Sequence, residues 1–289
     1  MALCAYCNSA PPILHSHVIP RFVGKYIKNN SPFEHMLNLW MNRSVFDLHK
    51  GPYLCAKCDN EVFSGWENHF SRTLWTDPLK KGGQLSDEVS VRFITSLAYR
   101  YTLHFLTTSP IAANSKYSEY MRDLTRNVLD DPSKAGQVLR IYPYVYRPIH
   151  QGCGLMPGVN HLLSLAVHAE SLPREGHLPN AMLVIIPKML TLFCDGDLAA
   201  SHHGMAEAPV DLQVGRRFEA RIANAEFPVF LKSVLNRLVA QGQSHQKQLG
   251  RWKKLAYSFD KQLNSHKMCY VANEHDRTLL KWQRDNCRT

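Results

Sequence analysis

Residues 4–22 read CAYCNSAPPILHSHVIPRF and residues 54–70 read LCAKCDNEVFSGWENHF. Each stretch carries a Cys-x-x-Cys pair, Cys4 with Cys7 and Cys55 with Cys58, and the reading of these pairs decides the fold of the N-terminal quarter. One such turn grips a metal ion through two thiolates, and its amides soften their charge. Two turns supply four thiolates and leave no open position, which is the donor set of a closed structural Zn²⁺ site. The alternative is four buried thiols or a redox pair. Residues 1–76 are rich in Cys, His and Trp and have few long apolar runs, so hydrophobic burial alone gives them a poor core. A zinc staple fills that gap, since it supplies roughly 10–16 kcal/mol of apparent folding energy in zinc-finger peptides. The other four cysteines, Cys153, Cys194, Cys269 and Cys287, are scattered and read as ordinary thiols.

Beyond the second pair, the first composition break is TDPLKKGGQLSDE at 76–88, a linker by its Gly, Pro and charge content. It separates a first unit at 1–76 from a second at 85–289. Ser86 or Asp87 can cap a helix through SVRFITSLAYRYTLHFL, where Val89, Phe93, Leu97 and Tyr101 recur at helical spacing. Ile94, Leu103 and Phe105 occupy other faces of that helix, so it should be buried. A second helix is expected near 118–129, stopped by Asp130-Asp131-Pro132. VLRIYPYVYRP (138–148) and AMLVIIPKMLTLFC (181–194) are β-branched, aromatic and bounded by breakers, so they read as strands, with RRFEARIA (216–223) a weaker one. Helical spacing returns at Phe230 or Leu231, Val234, Leu235 and Leu238, and again at Leu249, Trp252, Ala256, Phe259 and Leu263.

The chain has 289 residues, 45% of them hydrophobic and 20% charged, which is an ordinary globular composition. Its formal charge is +10, and residues 232–289 hold twelve Lys/Arg against four Asp/Glu. The balance favours a polyanionic partner, either nucleic acid or an anionic membrane surface, although many basic proteins bind neither. Lys253 and Lys254 lie largely off the apolar stripe of the last helix, on a face that either meets phosphates or is simply solvated. The N-terminus lacks a basic-then-apolar leader and no apolar run is long enough to span a bilayer, so the expectation is a cytoplasmic protein with no membrane partner.

Between the knuckles sits His17-Val18-Ile19-Pro20, and Leu54-Cys55-Ala56-Lys57-Cys58 follows. This combination resembles the zinc-stapled HNH, or His-Me finger, endonucleases, and it covers about residues 1–75. The resemblance implies a zinc-stapled ββα-metal module at the N-terminus; with the helices and strands read beyond it, the expected fold class is α+β, that module followed by a larger mixed α/β domain that ends in helices. It implies His17 as general base, Asp59 as the late ligand of a catalytic Mg²⁺ or Mn²⁺, and DNA rather than RNA as substrate. The family's first metal ligand, just before the catalytic histidine, is Ser16 here, a poor Mg²⁺ ligand. His15 either replaces it or is a polar strand residue. His49, then Asp47, stands nearest to the family's middle Asn or His, while Asn60 and Glu67 are possible participants or solvated helix residues. Arg21, Lys25 and Lys28 follow the histidine and can steer phosphates toward it. The expected activity is a phosphodiester-hydrolysing endonuclease. The resemblance also suggests a partner-activated antiphage effector. Residues 85–289 carry no phosphate loop, dinucleotide fingerprint or nucleophile motif, so they are expected to serve substrate, protein-partner or homo-oligomer contacts. The alternative is a catalytically inactive, zinc-containing nucleic-acid-binding or adaptor protein.

Overall fold

The computed structural model describes residues 3–30, 36–38, 43–45, 49–75, 85–108, 112–145, 166–172, 179–198, 211–216, 221–222, 231–238 and 240. The mixture of helices and strands is as expected. The first unit contributes β1 (Ser16–His17), α1 (Arg21–Asn30), β2 (Met36–Asn38), β3 (Arg43–Val45), β4 (Lys50–Gly51) and α2 (Ser64–Thr73), which a π-helical turn over Cys58–Phe63 precedes. There follow α3 (Glu88–Thr108), α4 (Ala112–Asp130), β5 (Arg140–Val145), β6 (Ala166–Leu172), β7 (Ala181–Ile186), β8 (Met189–Cys194), β9 (Arg221–Ile222) and a helix α5 at 231–238. The second C-terminal helix, with Lys253 and Lys254, lies outside the described residues, as does Asp47.

Among the described residues, β1 and β4 form a two-stranded antiparallel sheet, and seven strands form a second in the order β3-β2-β6-β7-β8-β5-β9. Its centre is antiparallel, and the parallel pairs are β2 with β6 and β5 with β9. Thus the first 76 residues give two strands to the larger sheet. AMLVIIPKMLTLFC is a hairpin rather than one strand: Pro187 fixes the first turn position and Lys188 takes φ +70° at the second. The Lys188 ammonium lies 4.8 Å from the Tyr26 ring centroid and donates to the Trp75 carbonyl at 3.0 Å, so the hairpin tip is locked against α1 and the end of α2.

Every residue of β7 and β8 is buried, because both faces of the sheet are covered. On one face Met182, Val184, Met189 and Phe193 join the cluster that contains α3 and α4. On the other, Leu183, Ile185, Leu190 and Leu192 meet Leu231, Leu235 and Leu238 of α5. Asp87, not Ser86, caps α3: its Oδ1 accepts the Ser90 amide at 2.7 Å and its Oδ2 the Ser90 hydroxyl at 2.9 Å. From Phe93 to Phe105 each residue of α3 is buried, as an all-round apolar helix requires. One side of α3 meets the first unit, with Phe93 stacked on Phe70 at 4.1 Å and near Phe22 at 5.9 Å. A single hydrophobic cluster therefore runs from Cys4 through α3 to the sheet.

Candidate metal centre and the strand beside it

The ligand atoms of Cys4, Cys7, Cys55 and Cys58 all lie within 4.8 Å of one another, and all four are free thiols. Cys7 Sγ and Cys55 Sγ are 3.6 Å apart, close to the ~3.8 Å edge of a tetrahedron built on Zn–S bonds of about 2.3 Å. The backbone explains the convergence. Ala5 N–H donates to Tyr53 O at 2.9 Å and Ile13 N–H to Leu54 O at 2.9 Å, which ties one knuckle to the other. Asn8 takes φ +53°, a left-handed turn that asparagine tolerates, and its amide donates back to Cys4 O at 3.0 Å.

Four thiols this close cannot all ionise without a cation. A hydrogen bond from the Ser9 amide draws the Cys7 thiol down to about 6 against the opposing effect of burial, while burial and then the neighbouring thiols push Cys58 up. A divalent ion removes that conflict. Three of the thiols are buried and Cys7 is half-buried, so the quartet suits a closed, structural ion such as zinc. The outer rim is held from the helices: Tyr99 Oη donates to Ala5 O at 2.6 Å, and Arg126, stacked 4.0 Å from the Tyr6 ring centroid, donates to Tyr6 O.

Beside this centre β1 pairs Ser16 with Gly51 and His17 with Lys50. A Cβ on Gly51 would stand 2.4 Å from the Tyr53 ring, so only glycine lets Tyr53 pack there. Alternation along β1 buries Ser16 completely and leaves His17 half-buried. Ser16 Oγ donates to Asp59 Oδ1 at 2.7 Å, so the carboxylate after the last knuckle cysteine lies against the residue that adjoins His17. The π-helical turn carries Asp59, whose amide bonds Cys55 O at 2.9 Å.

The other residues singled out by the sequence separate. His15 and Asn60 are exposed. Glu67 is tied up in an ion pair, its Oε1 2.6 Å from Arg100 Nη1. His49 is half-buried and lies against His104, ring centroids 4.6 Å apart, while its carbonyl accepts the Val18 amide at 2.9 Å. Tyr53 Oη lies 2.9 Å from His104 Nδ1, and burial, then the proximity of His49, lowers His104 to about 4. Among the described residues, the cysteine quartet is the group of three or more Cys, His, Asp or Glu side chains whose donor atoms converge; His15, His17 and Asp59 do not form a second.

Arg21, Lys25 and Lys28 are exposed along one stripe of α1, opposite buried Val23 and Ile27. Arg100 is not among the candidates that the sequence suggests. It is 1% exposed, yet its Nη1 also donates to the His17 carbonyl at 3.2 Å. A signal for it exists, since an arginine inside the buried stretch Phe93–Phe105 of α3 must find acceptors. Among the described residues no helix is long and apolar enough to cross a membrane. No family model, no curated protein and no solved structure matches this chain.

Proposed function

We propose that the protein is a metal-dependent endonuclease of the HNH kind, which hydrolyses phosphodiester bonds and acts on DNA in preference to RNA. The observation that supports this most is the 2.7 Å hydrogen bond between Ser16 and Asp59. It sets a carboxylate beside the strand of His17, where the HNH resemblance expects metal-binding groups, on a scaffold that four cysteines can staple with zinc.

In this reading Asp59 would hold Mg²⁺ or Mn²⁺, with the remaining positions left to water and the substrate phosphate. When bound, that hard cation neutralises charge developing on the leaving oxygen. His17 takes the proton from the attacking water, a task suited to an imidazole, which titrates near neutrality. Arg21, Lys25 and Lys28 attract the phosphate backbone. Partner activation and a defence role rest on the resemblance alone. The test is cleavage of plasmid DNA and of RNA by the purified full chain with Mg²⁺ or Mn²⁺. The wild type should cut, and His17→Ala should lose at least about 100-fold in rate. Cleavage of neither substrate, or an undiminished His17→Ala, overturns the reading.

One observation favours a second reading, a catalytically silent nucleic-acid-binding or adaptor protein. Ser16 stands where a metal ligand is expected, and its hydroxyl already occupies one oxygen of Asp59. That version shows salt-sensitive DNA binding that His17→Ala leaves intact and no cleavage by the wild type.

A further inference from the structure

A guanidinium taken out of water is costly unless its donors are matched. Each nitrogen of the Arg100 guanidinium meets an acceptor. Nε donates to Ser96 O at 3.4 Å, Nη2 to Ser96 Oγ at 3.2 Å, and Nη1 to both Glu67 Oε1 at 2.6 Å and His17 O at 3.2 Å. The Phe63 ring lies 5.4 Å from its central carbon. Two of these groups belong to its own helix, so they fix the guanidinium on α3. Glu67 reaches it from α2, and His17 O is the backbone group it grips in β1. That strand is two residues long, with β4 as its partner in the sheet, so few ladder bonds hold it. The charge-assisted bond from Arg100 comes from the opposite direction, out of the core.

We propose that Arg100, anchored by Glu67, is a positioning residue that fixes the backbone of His17 and through it the place of the His17 imidazole. The proposal rests on the reading of His17 as general base. A base displaced by a fraction of an ångström transfers its proton less well, while substrate affinity, set by remote phosphate contacts, is untouched. Lysine at 100 keeps the charge and loses the fork that reaches two acceptors at once. Glutamine at 67 keeps an acceptor and removes the charge that holds Nη1 in place.

The experiment compares wild-type full-length protein with Arg100→Lys and Glu67→Gln. It uses zinc content as the test of folding, steady-state cleavage of DNA with Mg²⁺, and the ¹³C-edited NMR resonance of His17 Cε1–H. Arg100→Lys should lower kcat at least about tenfold with KM within about threefold, and Glu67→Gln should fall between it and wild type. The His17 resonance should broaden or split in the same order. A zinc-replete Arg100→Lys with wild-type kcat and an unchanged His17 resonance overturns the proposal. If Arg100→Lys does not hold zinc, Glu67→Gln decides by the same two readouts, an unchanged kcat and resonance again overturning it. If wild-type protein cuts nothing, the nuclease reading falls, and the resonance alone decides whether Arg100 positions His17.

Discussion

His104 is a buried imidazole kept neutral by its surroundings. Tyr53 Oη lies 2.9 Å from its Nδ1 and the His49 ring is 4.6 Å away, so a proton arriving on His104 is disfavoured by burial first and by a second histidine next. The folded group titrates at about 4 against 6.5 for the free side chain. Between those values the unfolded chain carries a proton that the folded chain does not. Stability from this residue is therefore complete above pH 6.5 and is lost as pH falls from 6.5 toward 4. Replacing His104 with Asn, which can still meet Tyr53 Oη through its amide, should flatten that part of the profile. The check is the thermal midpoint of wild type and His104→Asn across pH 4 to 7, taken as a difference so that carboxylates and the thiolate cluster cancel. Parallel profiles would refute the assignment. No sequence pattern discloses this group, because His104 lies on α3 and the residues that perturb it lie some fifty positions earlier.

At the scale of elements, helices and strands with a sustained pattern were legible and short ones were not. Fifteen buried positions along α3, most of them apolar, and the Asp87 cap announce that helix, while β7 and β8 carry nearly unbroken apolar runs. A strand of two residues, such as β1, has no period to read. The α1 segment RFVGKYIKNN carries a glycine and two β-branched residues, weak helix formers, so packing of Val23 and Ile27 decides its state. Two predictions belong here. Asp87→Ala removes the cap and its 3.3 Å contact with His69, and should cost about 1 kcal/mol in denaturant unfolding, within the 0.5–2 kcal/mol range for such caps. On α1, the combined Arg21→Ala, Lys25→Ala, Lys28→Ala variant should weaken DNA binding with little dependence on sequence. If all three cations meet phosphates, the slope of log K against log salt should become shallower by roughly 0.9 for each phosphate no longer neutralised. An unchanged slope would place DNA elsewhere on the protein.

Across the whole molecule the cysteine quartet is a keystone more than a local clip. The pairing of Cys4 and Cys7 with Cys55 and Cys58 was legible because spacing alone defines it, but spacing said nothing of what leans on it. Tyr99 from α3 and Arg126 from α4 hold the carbonyls of Ala5 and Tyr6 inside the first knuckle. Cys4, Cys55 and Cys58 belong to the same apolar cluster as Phe93, Leu97 and Met121. With zinc held by the quartet, its loss would leave thiols that cannot stay ionised together; the knuckle turns would then open, Tyr99 and Arg126 would lose their acceptors, and α3 and α4 would lose a packed surface. Chelation of zinc, or Cys58→Ser, should therefore lower one cooperative melting transition by at least about 10 °C rather than melt residues 1–75 apart from the rest. Hydrogen exchange locates the effect: amides of α3 between Phe93 and Tyr101 should lose protection together with those of residues 4–20. If exchange in α3 is unchanged while residues 4–20 open, the two parts are energetically separate despite sharing a core, and the keystone account fails.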